Sequence, residues 1–330
     1  MGPALRIDLM KVKPREGYPG KIVVDGLILD HGARNRYKTD KNHEIKRLAN
    51  PKTGQNPTPE SGALVISCGK NGMFDKIPWD ILVENNVVMN SAPTMGAMAI
   101  SGYKKSKVVI RNNLVINNTG TGIYVGSKWA GGRYHKDGPT FLVENNSVLF
   151  TWKHDPVAQS YSGNVIDFDA SVRATVKNNV FAFADRHIVY NPRKTTLLLQ
   201  NNIMSASVDT EYLEFDTKIA LDDIEDEPDY MHDDTEGNEA KPVNVKGISK
   251  EWLALYGGRI LIDRNKAEAG IKASSTRANA LRGMLGLKLR AGKQDFGTGA
   301  VWLPRLSVDE AVKAGAEKYH GVGCKTPVIK

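Results

Sequence analysis

Five segments of the sequence repeat one pattern, in which apolar residues lead up to a pair of asparagines and resume after it. The copies are Ile81–Met89 (ILVENNVVM), Val108–Ile116 (VVIRNNLVI), Phe141–Leu149 (FLVENNSVL), Ala174–Ala182 (ATVKNNVFA) and Leu197–Ser205 (LLLQNNIMS). Successive Asn pairs are 27, 33, 33 and 23 residues apart, which indicates one unit of about 23 residues with insertions of variable length. A degenerate sixth copy is Ile22–Leu29 (IVVDGLIL), in which we expect Asp25-Gly26 to replace the Asn pair.

A second type of short strand lies between these copies. Its members alternate apolar and other residues and are bounded by Gly, Asn, Ser or Pro, which is typical of short strands. In chain order they are Ala63–Ser67, Ala97–Ser101, Gly122–Gly126, Val165–Asp169, His187–Asn191 and Tyr212–Asp216. Because so small a unit cannot bury its apolar face alone, the pattern predicts stacked coils.

The asparagine pairs predict the corners of these coils. Asn adopts left-handed backbone angles more readily than most residues, and stacked Asn side chains hydrogen-bond to one another. We therefore expect equivalent corners at Asn85, Asn112, Asn145, Asn178 and Asn201. An antiparallel β-sandwich, the alternative, gives no reason for identical corners.

With this pattern the chain resembles the right-handed parallel β-helix superfamily, which includes pectate-lyase-like and other carbohydrate-active proteins. The resemblance covers about residues 5–220. It implies an all-β solenoid and a secreted or periplasmic protein that acts on a polysaccharide. It is more specific for the fold than for the chemistry, because the motifs of the pectin hydrolases are missing and Asp155-Pro156 is followed by Val157, not by the His of the alginate epimerases.

The chain divides into three parts by composition. Residues 1–220 form the predicted solenoid, and residues 221–240 are a predicted acidic loop or linker. Residues 241–330 are predicted to be a small mixed appendage with helices, packed on the C-terminal end of the solenoid. Within it, Ser307-Val308-Asp309-Glu310 has the form of a capping box before a helix over Ala311–Tyr319.

Charge and composition restrict the function classes. The net charge of +8 is uneven, since Asp222–Glu239 holds ten acidic residues without Lys or Arg and the rest of the chain is basic. A basic body suits an anionic partner, and an acidic polysaccharide is favoured because no nucleic-acid motif and no Gly-rich phosphate loop occurs. No run of about 18 apolar residues predicts a membrane span, and two cysteines exclude a disulfide framework. The first residues lack the apolar core of a signal peptide, so a secreted protein would have lost that segment.

Alternation in the second strand set predicts a polar strip on one outer face of the solenoid. If Ile66, Ile100, Val125, Phe168, Tyr190 and Phe215 point inward, their neighbours point outward. One outward column is then Val65, Ala99, Tyr124, Asp167, Val189 and Glu214, and the next is Ser67, Ser101, Gly126, Asp169, Asn191 and Asp216.

The longest insertions between repeats, Ser127–Pro139 and Thr151–Gly163, flank the strand that carries Asp167 and Asp169. A solenoid core needs no such loops, and loops on one side of a solenoid commonly bind ligands. The predicted catalytic residues are Tyr124, Lys128, Arg133, His135, His154, Asp167 and Asp169. The predicted substrate-binding residues are Trp129, Tyr134, Trp152 and Arg186, because rings stack on sugars and cations pair with uronate carboxylates.

Three functions remain open for this strip. The first is β-elimination or C5 epimerisation of a uronate polymer, in which a cation neutralises the carboxylate, His or Lys takes the α-proton and Tyr protonates the leaving oxygen. The second is inverting glycoside hydrolysis by Asp167 and Asp169, which alternation places near the separation that such enzymes use. The third is sugar binding without catalysis. Asp167, Asp169 and Glu214 are also a candidate Ca²⁺ site, since hard cations prefer several oxygen ligands.

Overall fold

The computed structural model describes residues 3–9, 17–32, 36–39, 45–47, 62–68, 78–91, 96–126, 138–152, 163–168, 172–191, 196–207, 210–214, 217–219, 237–253, 300–302, 305–315 and 322–325. In chain order its strands are β1 (Leu5–Asp8), β2 (Gly20–Asp25), β3 (Ile28–Asp30), β4 (Arg36–Thr39), β5 (Ile45–Arg47), β6 (Leu64–Ser67), β7 (Trp79–Glu84), β8 (Val87–Met89), β9 (Gly96–Ser101), β10 (Lys107–Arg111), β11 (Leu114–Thr119), β12 (Thr121–Gly126), β13 (Thr140–Glu144), β14 (Ser147–Trp152), β15 (Ile166–Phe168), β16 (Arg173–Lys177), β17 (Val180–Ala184), β18 (His187–Asn191), β19 (Thr196–Gln200), β20 (Ile203–Ser207), β21 (Thr210–Glu214), β22 (Thr217–Ile219) and β23 (Ala300–Trp302). The helix α1 spans Val308–Gly315, and residues 250–253 are also helical.

Three long sheets run along the molecule, and each coil of the chain adds one strand to each of them. Sheet A has the order β1-β6-β9-β12-β15-β18-β21-β22, sheet B the order β19-β16-β13-β10-β7-β2, and sheet C the order β20-β17-β14-β11-β8-β3. Neighbouring strands are parallel, except that β22 is antiparallel to β21. The predicted parallel β-helix is thereby confirmed. A separate antiparallel sheet joins β4 and β5 to β23.

The second asparagine of each pair forms a continuous buried ladder at the corner between sheets B and C. In each step the backbone N–H and Nδ2 of one Asn donate to Oδ1 of the next, at 2.9–3.1 Å, from Asn86 through Asn113, Asn146, Asn179 and Asn202 to Asn238. Each Nδ2 also reaches a strand carbonyl, as Asn146 does at Ile110 (2.9 Å). Stacking therefore satisfies polar groups that would otherwise be buried without partners.

The first asparagine of each pair makes the turn itself. Asn85, Asn112, Asn145, Asn178 and Asn201 all have φ between 52° and 57°, which confirms the predicted equivalent corners. The degenerate copy is shifted by one residue from the prediction. Gly26 aligns with Asn85, because β2 pairs Asp25 with Glu84. Leu27 then takes the place of Asn86 and donates its N–H to Asn86 Oδ1 (3.0 Å), which ends the ladder.

A further copy of the corner lies inside the segment that the sequence assigned to the acidic linker. Gly237 has φ of 66°, and Asn238 Oδ1 accepts the backbone N–H and Nδ2 of Asn202. Ile203 forms a parallel bridge with Glu239. The solenoid thus extends to residue 239, and the prediction missed it because Gly replaces the first Asn and no apolar run precedes it.

A second left-handed corner, directly after β8 and within β11, β14, β17 and β20 of sheet C, was not predicted. It is formed by Asn90, Asn117, Phe150, Phe183 and Ala206, with φ between 51° and 61°. Left-handed angles cost free energy in residues such as Phe. Packing offsets this cost, because the Phe150 and Phe183 rings stack at 4.6 Å and Trp252 packs edge-on against Phe150 at 4.9 Å.

The described C-terminal residues cover the outer face of sheet C, and the predicted packing of residues 241–330 on the end of the solenoid stays a prediction. Their buried side chains Val243, Trp252, Leu253, Leu306, Ala311, Ala314 and Cys324 form one cluster with outward residues of sheet C such as Leu114 and Leu149. The Asn90 side chain bonds both backbone groups of Leu306, at 2.8 and 2.9 Å. The predicted capping box is present, since Ser307 and Glu310 exchange hydrogen bonds and α1 follows.

The interior of the solenoid is a single apolar core to which all three sheets contribute. Alternation along each strand supplies it, as in β13, where Phe141 and Val143 are buried and Thr140, Leu142 and Glu144 are half-buried. No helix in the described ranges is long and apolar enough to cross a membrane.

We predict that Asn146→Ala lowers the free energy of unfolding by at least about 3 kcal/mol, because the Asn113 amides and the Ile110 carbonyl then lose buried partners. Urea denaturation followed by circular dichroism measures the change. Thr175→Ala, on the outer side of the adjacent strand β16, is the control and should alter stability by no more than about 0.5 kcal/mol. Equal losses in the two variants would contradict a special role for the ladder.

Candidate functional site

The outer faces of the three sheets differ in composition and burial. Sheet B carries exposed charges, including an Arg111–Glu84 ion pair of 2.7 Å across neighbouring strands. Sheet C is apolar and covered by C-terminal residues. Among the described residues, only sheet A combines aromatic and ionisable side chains at buried outward positions. Buried polar groups on an outer face do not serve the solenoid core, so sheet A is the candidate site.

One outward column of sheet A defines this site. Strand pairing aligns Val65, Ala99, Tyr124, Asp167 and Tyr190 on successive strands. Val65, Ala99 and Tyr124 form an apolar cluster of their own, apart from the interior core that contains Ile66, Ile100 and Val125, which confirms the predicted outward direction for these three. All five members are at most 9% exposed, and Asp167 is 3% exposed.

The register of β18 differs from the prediction by one residue. Asp167 pairs with Tyr190, whereas the sequence placed Val189 beside it and Tyr190 in the interior. Val189 instead belongs to the interior core. The start of β18 fixes this register, because Val165 N–H donates to the His187 carbonyl (3.0 Å) and the Asn164 side chain accepts from His187 N–H (3.4 Å). Alternation alone did not distinguish the two registers, since Ile188 and Val189 are both apolar.

Two cationic or titratable side chains pack around Tyr190. The Arg186 guanidinium carbon lies 5.6 Å from the centre of the Tyr190 ring, within the range of a cation–π contact. The His187 ring lies 5.8 Å from the same ring and is parallel to it within 9°. Arg186 was a predicted substrate-binding residue, whereas His187 and Tyr190 were missed. The sequence did contain a signal for them, since Arg186 directly precedes β18 and Tyr190 lies four residues later in the same strand.

Tyr124 is positioned by a close approach of the neighbouring coil. A Cβ atom built on Gly96 would lie 2.6 Å from Tyr124 Cβ and 2.8 Å from its backbone nitrogen. Only glycine therefore fits at position 96 with Tyr124 in this place. Tyr124 can therefore keep this position only while residue 96 is a glycine.

Three fully buried polar side chains lie where the chain enters sheet A. They are Asn118, Thr121 and Asn164. Asn164, two residues before β15, is level with His187 of the next coil in the register of β15 and β18. Asn118 Nδ2, Thr121 Oγ1 and Asn164 Nδ2 have no hydrogen-bond partner among the described residues. Buried polar side chains therefore lie next to the start of the sheet A strands in more than one coil.

Most residues of the predicted loop walls cannot be placed in this geometry. Lys128, Trp129, Arg133, Tyr134, His135, His154 and Asp169 lie outside the described residues. Trp152 is the last residue of β14, and its side chain is outside them as well. The structure thus brings together Tyr124, Asp167 and Arg186 of the predicted set.

The register of β21 changes the position of one predicted calcium ligand, Glu214, relative to Asp167. Glu214 pairs with Asn191, and Asp167 aligns with Tyr190 and through it with Leu213, so Glu214 is not in the outward column of Asp167. In the described part of the chain there is no group of three or more His, Cys, Asp or Glu side chains arranged to hold a metal ion. The alignment of Glu214 with Asp167 was therefore wrong, and a calcium site that uses Asp167, Asp169 and Glu214 stays a prediction.

Cys68 and Tyr103 lie where the chain leaves sheet A. The Cys68 thiol donates to the Gly102 carbonyl at 3.7 Å, and burial raises its pKa to about 12. Burial, with the nearby Cys68 and Asp8, raises the pKa of Tyr103 to about 12. Both groups are therefore protonated at neutral pH, and the Cys68 thiol is not a nucleophile.

Comparison with known proteins adds no assignment. No protein-family model matches the chain, and neither a curated protein nor a solved structure does.

We predict that the protein loses stability in alkaline solution above about pH 9. The folded state keeps Cys68 and Tyr103 protonated, so their contribution is fully present below the unfolded pKa values and is lost as the pH rises towards 12. Urea midpoints at pH 8 and pH 10.5 measure the loss, and Tyr103→Phe should reduce it.

We also predict that a thiol reagent does not modify Cys68 or Cys324 in the native protein at pH 8, because both are buried. Rapid labelling of the native protein would contradict their burial.

Proposed function

We propose that the protein is a secreted or periplasmic carbohydrate-active enzyme that acts on a uronate-containing polysaccharide at the outer face of sheet A. The proposed reaction is β-elimination or the related C5 epimerisation. One observation carries the proposal: the buried column Tyr124–Asp167–Tyr190 has Arg186 and His187 packed at its end. The basic body of the chain suits an acidic polymer.

Arg186 is the residue suited to the uronate carboxylate. It is half-buried, whereas Tyr190 beside it is 4% exposed, so Arg186 is the member of the group that reaches the surface. A guanidinium pairs with a carboxylate through two parallel hydrogen bonds. Neutralising the carboxylate makes the adjacent C5–H more acidic, because negative charge develops on that carboxylate as the proton leaves.

Tyr190 and His187 are suited to the proton transfers. In β-elimination a base takes the C5 proton, the C4–C5 double bond forms, the C4–O4 bond breaks and an acid protonates O4. No redox partner is needed. In this proposal the His187 imidazole is the base, and the Tyr190 phenol next to the Arg186 cation is the acid. In epimerisation the carbanion is reprotonated on the opposite face, and the C4–O4 bond stays intact.

A second candidate is inverting glycoside hydrolysis with Asp167 and Asp169. The burial of Asp167 between two tyrosines favours it, since a general acid needs a carboxyl group that is shielded from water. Residues two apart on a strand are separated by roughly 6.5–7 Å, within the range for inverting enzymes. The predicted loop residues Lys128, Arg133, His135 and His154 remain proposed members of the site in either case, and Ca²⁺ at Asp167 and Asp169 remains a proposal.

We predict that the purified full-length chain converts a uronate polysaccharide to unsaturated products when it is incubated with a panel of uronate and neutral polysaccharides. Ultraviolet absorbance of the new double bond distinguishes elimination from hydrolysis, which yields reducing ends without absorbance. Proton exchange at C5 without cleavage identifies epimerisation. The assays are repeated after chelation to test the calcium proposal. Binding without any product would support the non-catalytic alternative and contradict an enzyme.

We predict that Tyr190→Phe, His187→Gln and Asp167→Asn each lower kcat at least about a hundredfold, since each removes an acid–base or electrostatic group. Arg186→Lys should mainly raise KM, because one ammonium replaces a bidentate fork. Arg173→Gln, an exposed position of sheet B, is the control. Circular dichroism and thermal melts confirm that each variant is folded. Full activity in all four site variants would move the site away from this column.

A further inference from the structure

The first coil of the solenoid ends all three sheets at the same side of the molecule. β1, β2 and β3 are the terminal strands of sheets A, B and C. β2 pairs with β7 along its whole length, from Gly20 with Trp79 to Asp25 with Glu84. No strand among the described residues pairs with the other edge of β2. An unpaired edge strand presents backbone donors and acceptors to any further strand.

The surface of this coil is also apolar. The exposed large apolar side chains of the described residues all lie between Tyr18 and Ile28: Tyr18 (60% exposed), Val23 (51%), Leu27 (38%) and Ile28 (36%). The equivalent of Ile28 in the next coil is Val87, which is fully buried. Val87 is buried because it belongs to the cluster that sheet C forms with the C-terminal residues, whereas Ile28 stays exposed.

The opposite end of the solenoid is built differently. The edge of β21 is covered by the antiparallel strand β22, and Ile203 in β20 is bridged to Glu239. Asn238 completes the ladder at that end. Two of the three C-terminal edges therefore have a partner within the chain, whereas no described strand pairs with the outer edges of β1, β2 and β3.

The sequence of β2 is complementary to itself. Along Gly20–Asp25, Ile22 and Val24 point to the core, and Lys21, Val23 and Asp25 point outward. If a second β2 is laid antiparallel to it and centred on Val23, Lys21 of each copy lies opposite Asp25 of the other. Ile22 then lies opposite Val24, and the two Val23 side chains meet. Opposite charges and apolar side chains directly across from each other stabilise antiparallel pairs.

We propose that two copies of this chain associate through their N-terminal ends, with β2 pairing antiparallel to β2 of the second copy. Sheet B then runs through both molecules without a break. The same two-fold symmetry brings Tyr18 of one copy towards Leu27 and Ile28 of the other. The exposed apolar residues of the first coil are thereby buried together. The contact uses the same patch on both copies, so it closes as a dimer and does not continue as a filament.

The oligomeric state of the full chain tests the proposal. Sedimentation equilibrium and light scattering at several concentrations should show a dimer, and Val23→Lys should raise its dissociation constant more than about a hundredfold, because two lysines then face each other on the symmetry axis. Val109→Lys is the matched control. It lies in the same outward column two strands away and should leave the dimer intact. A wild-type monomer at all concentrations would overturn the proposal.

Cross-linking tests the geometry separately from the affinity. Val23→Cys should form a disulfide-linked dimer under mild oxidation, since directly opposed side chains in an antiparallel pair lie close to disulfide distance. Val109→Cys should not, and the native Cys68 and Cys324 are buried. Val23 is half exposed in one copy, so these variants are expected to fold, and circular dichroism checks this. A dimer that persists in Val23→Lys, or that does not cross-link at position 23, excludes this contact.

Discussion

The stacked amides of the second asparagine in each pair are the interaction on which the rest of the structure depends. Each amide bonds to the next asparagine and to a strand carbonyl, so it fixes how one coil lies on another. Because side chains alternate with a period of two, a register shift by one residue would move every core-facing side chain of a strand to its outer face. The ladder prevents such a slip in sheets B and C, which meet at this corner. Sheet A lies farther from it, and its strands depend on their own contacts.

This separation explains why the three outer faces differ. With the interior and one corner fixed, each outer face is free to take another composition. Sheet B is solvated and carries ion pairs between coils. Sheet C stays apolar because the C-terminal residues cover it. Sheet A holds Asp167 between Tyr124 and Tyr190, an arrangement that costs free energy of burial and that core packing does not require.

The sequence predicted what local chemistry decides and missed what tertiary contacts decide. The five Asn corners were predictable, because Asn tolerates left-handed angles and stacks on itself. So was the outward pairing of Tyr124 with Asp167, since regular alternation connects them. The pairing of Asp167 with Tyr190 was not, because hydrogen bonds of Asn164 and Val165 to His187 set that register from another coil. The corner at Phe150 and Phe183 was missed for a similar reason, as Trp252 and ring stacking stabilise an angle that Phe alone disfavours.

A solenoid also constrains how its candidate site can be assembled. Tyr124, Asp167 and Tyr190 are far apart in the sequence, yet they are neighbours because each lies on the next coil, at a strand spacing of about 4.8 Å. Each coil then contributes one member of the column together with its own insertion. The insertion Thr151–Gly163 separates the coil of Tyr124 from that of Asp167, and Arg186 and His187 enter with the coil of Tyr190. A change in one insertion therefore acts first on the column members of the adjoining coils, so the chemistry of this face can vary coil by coil without disturbing the amide ladder on the far corner.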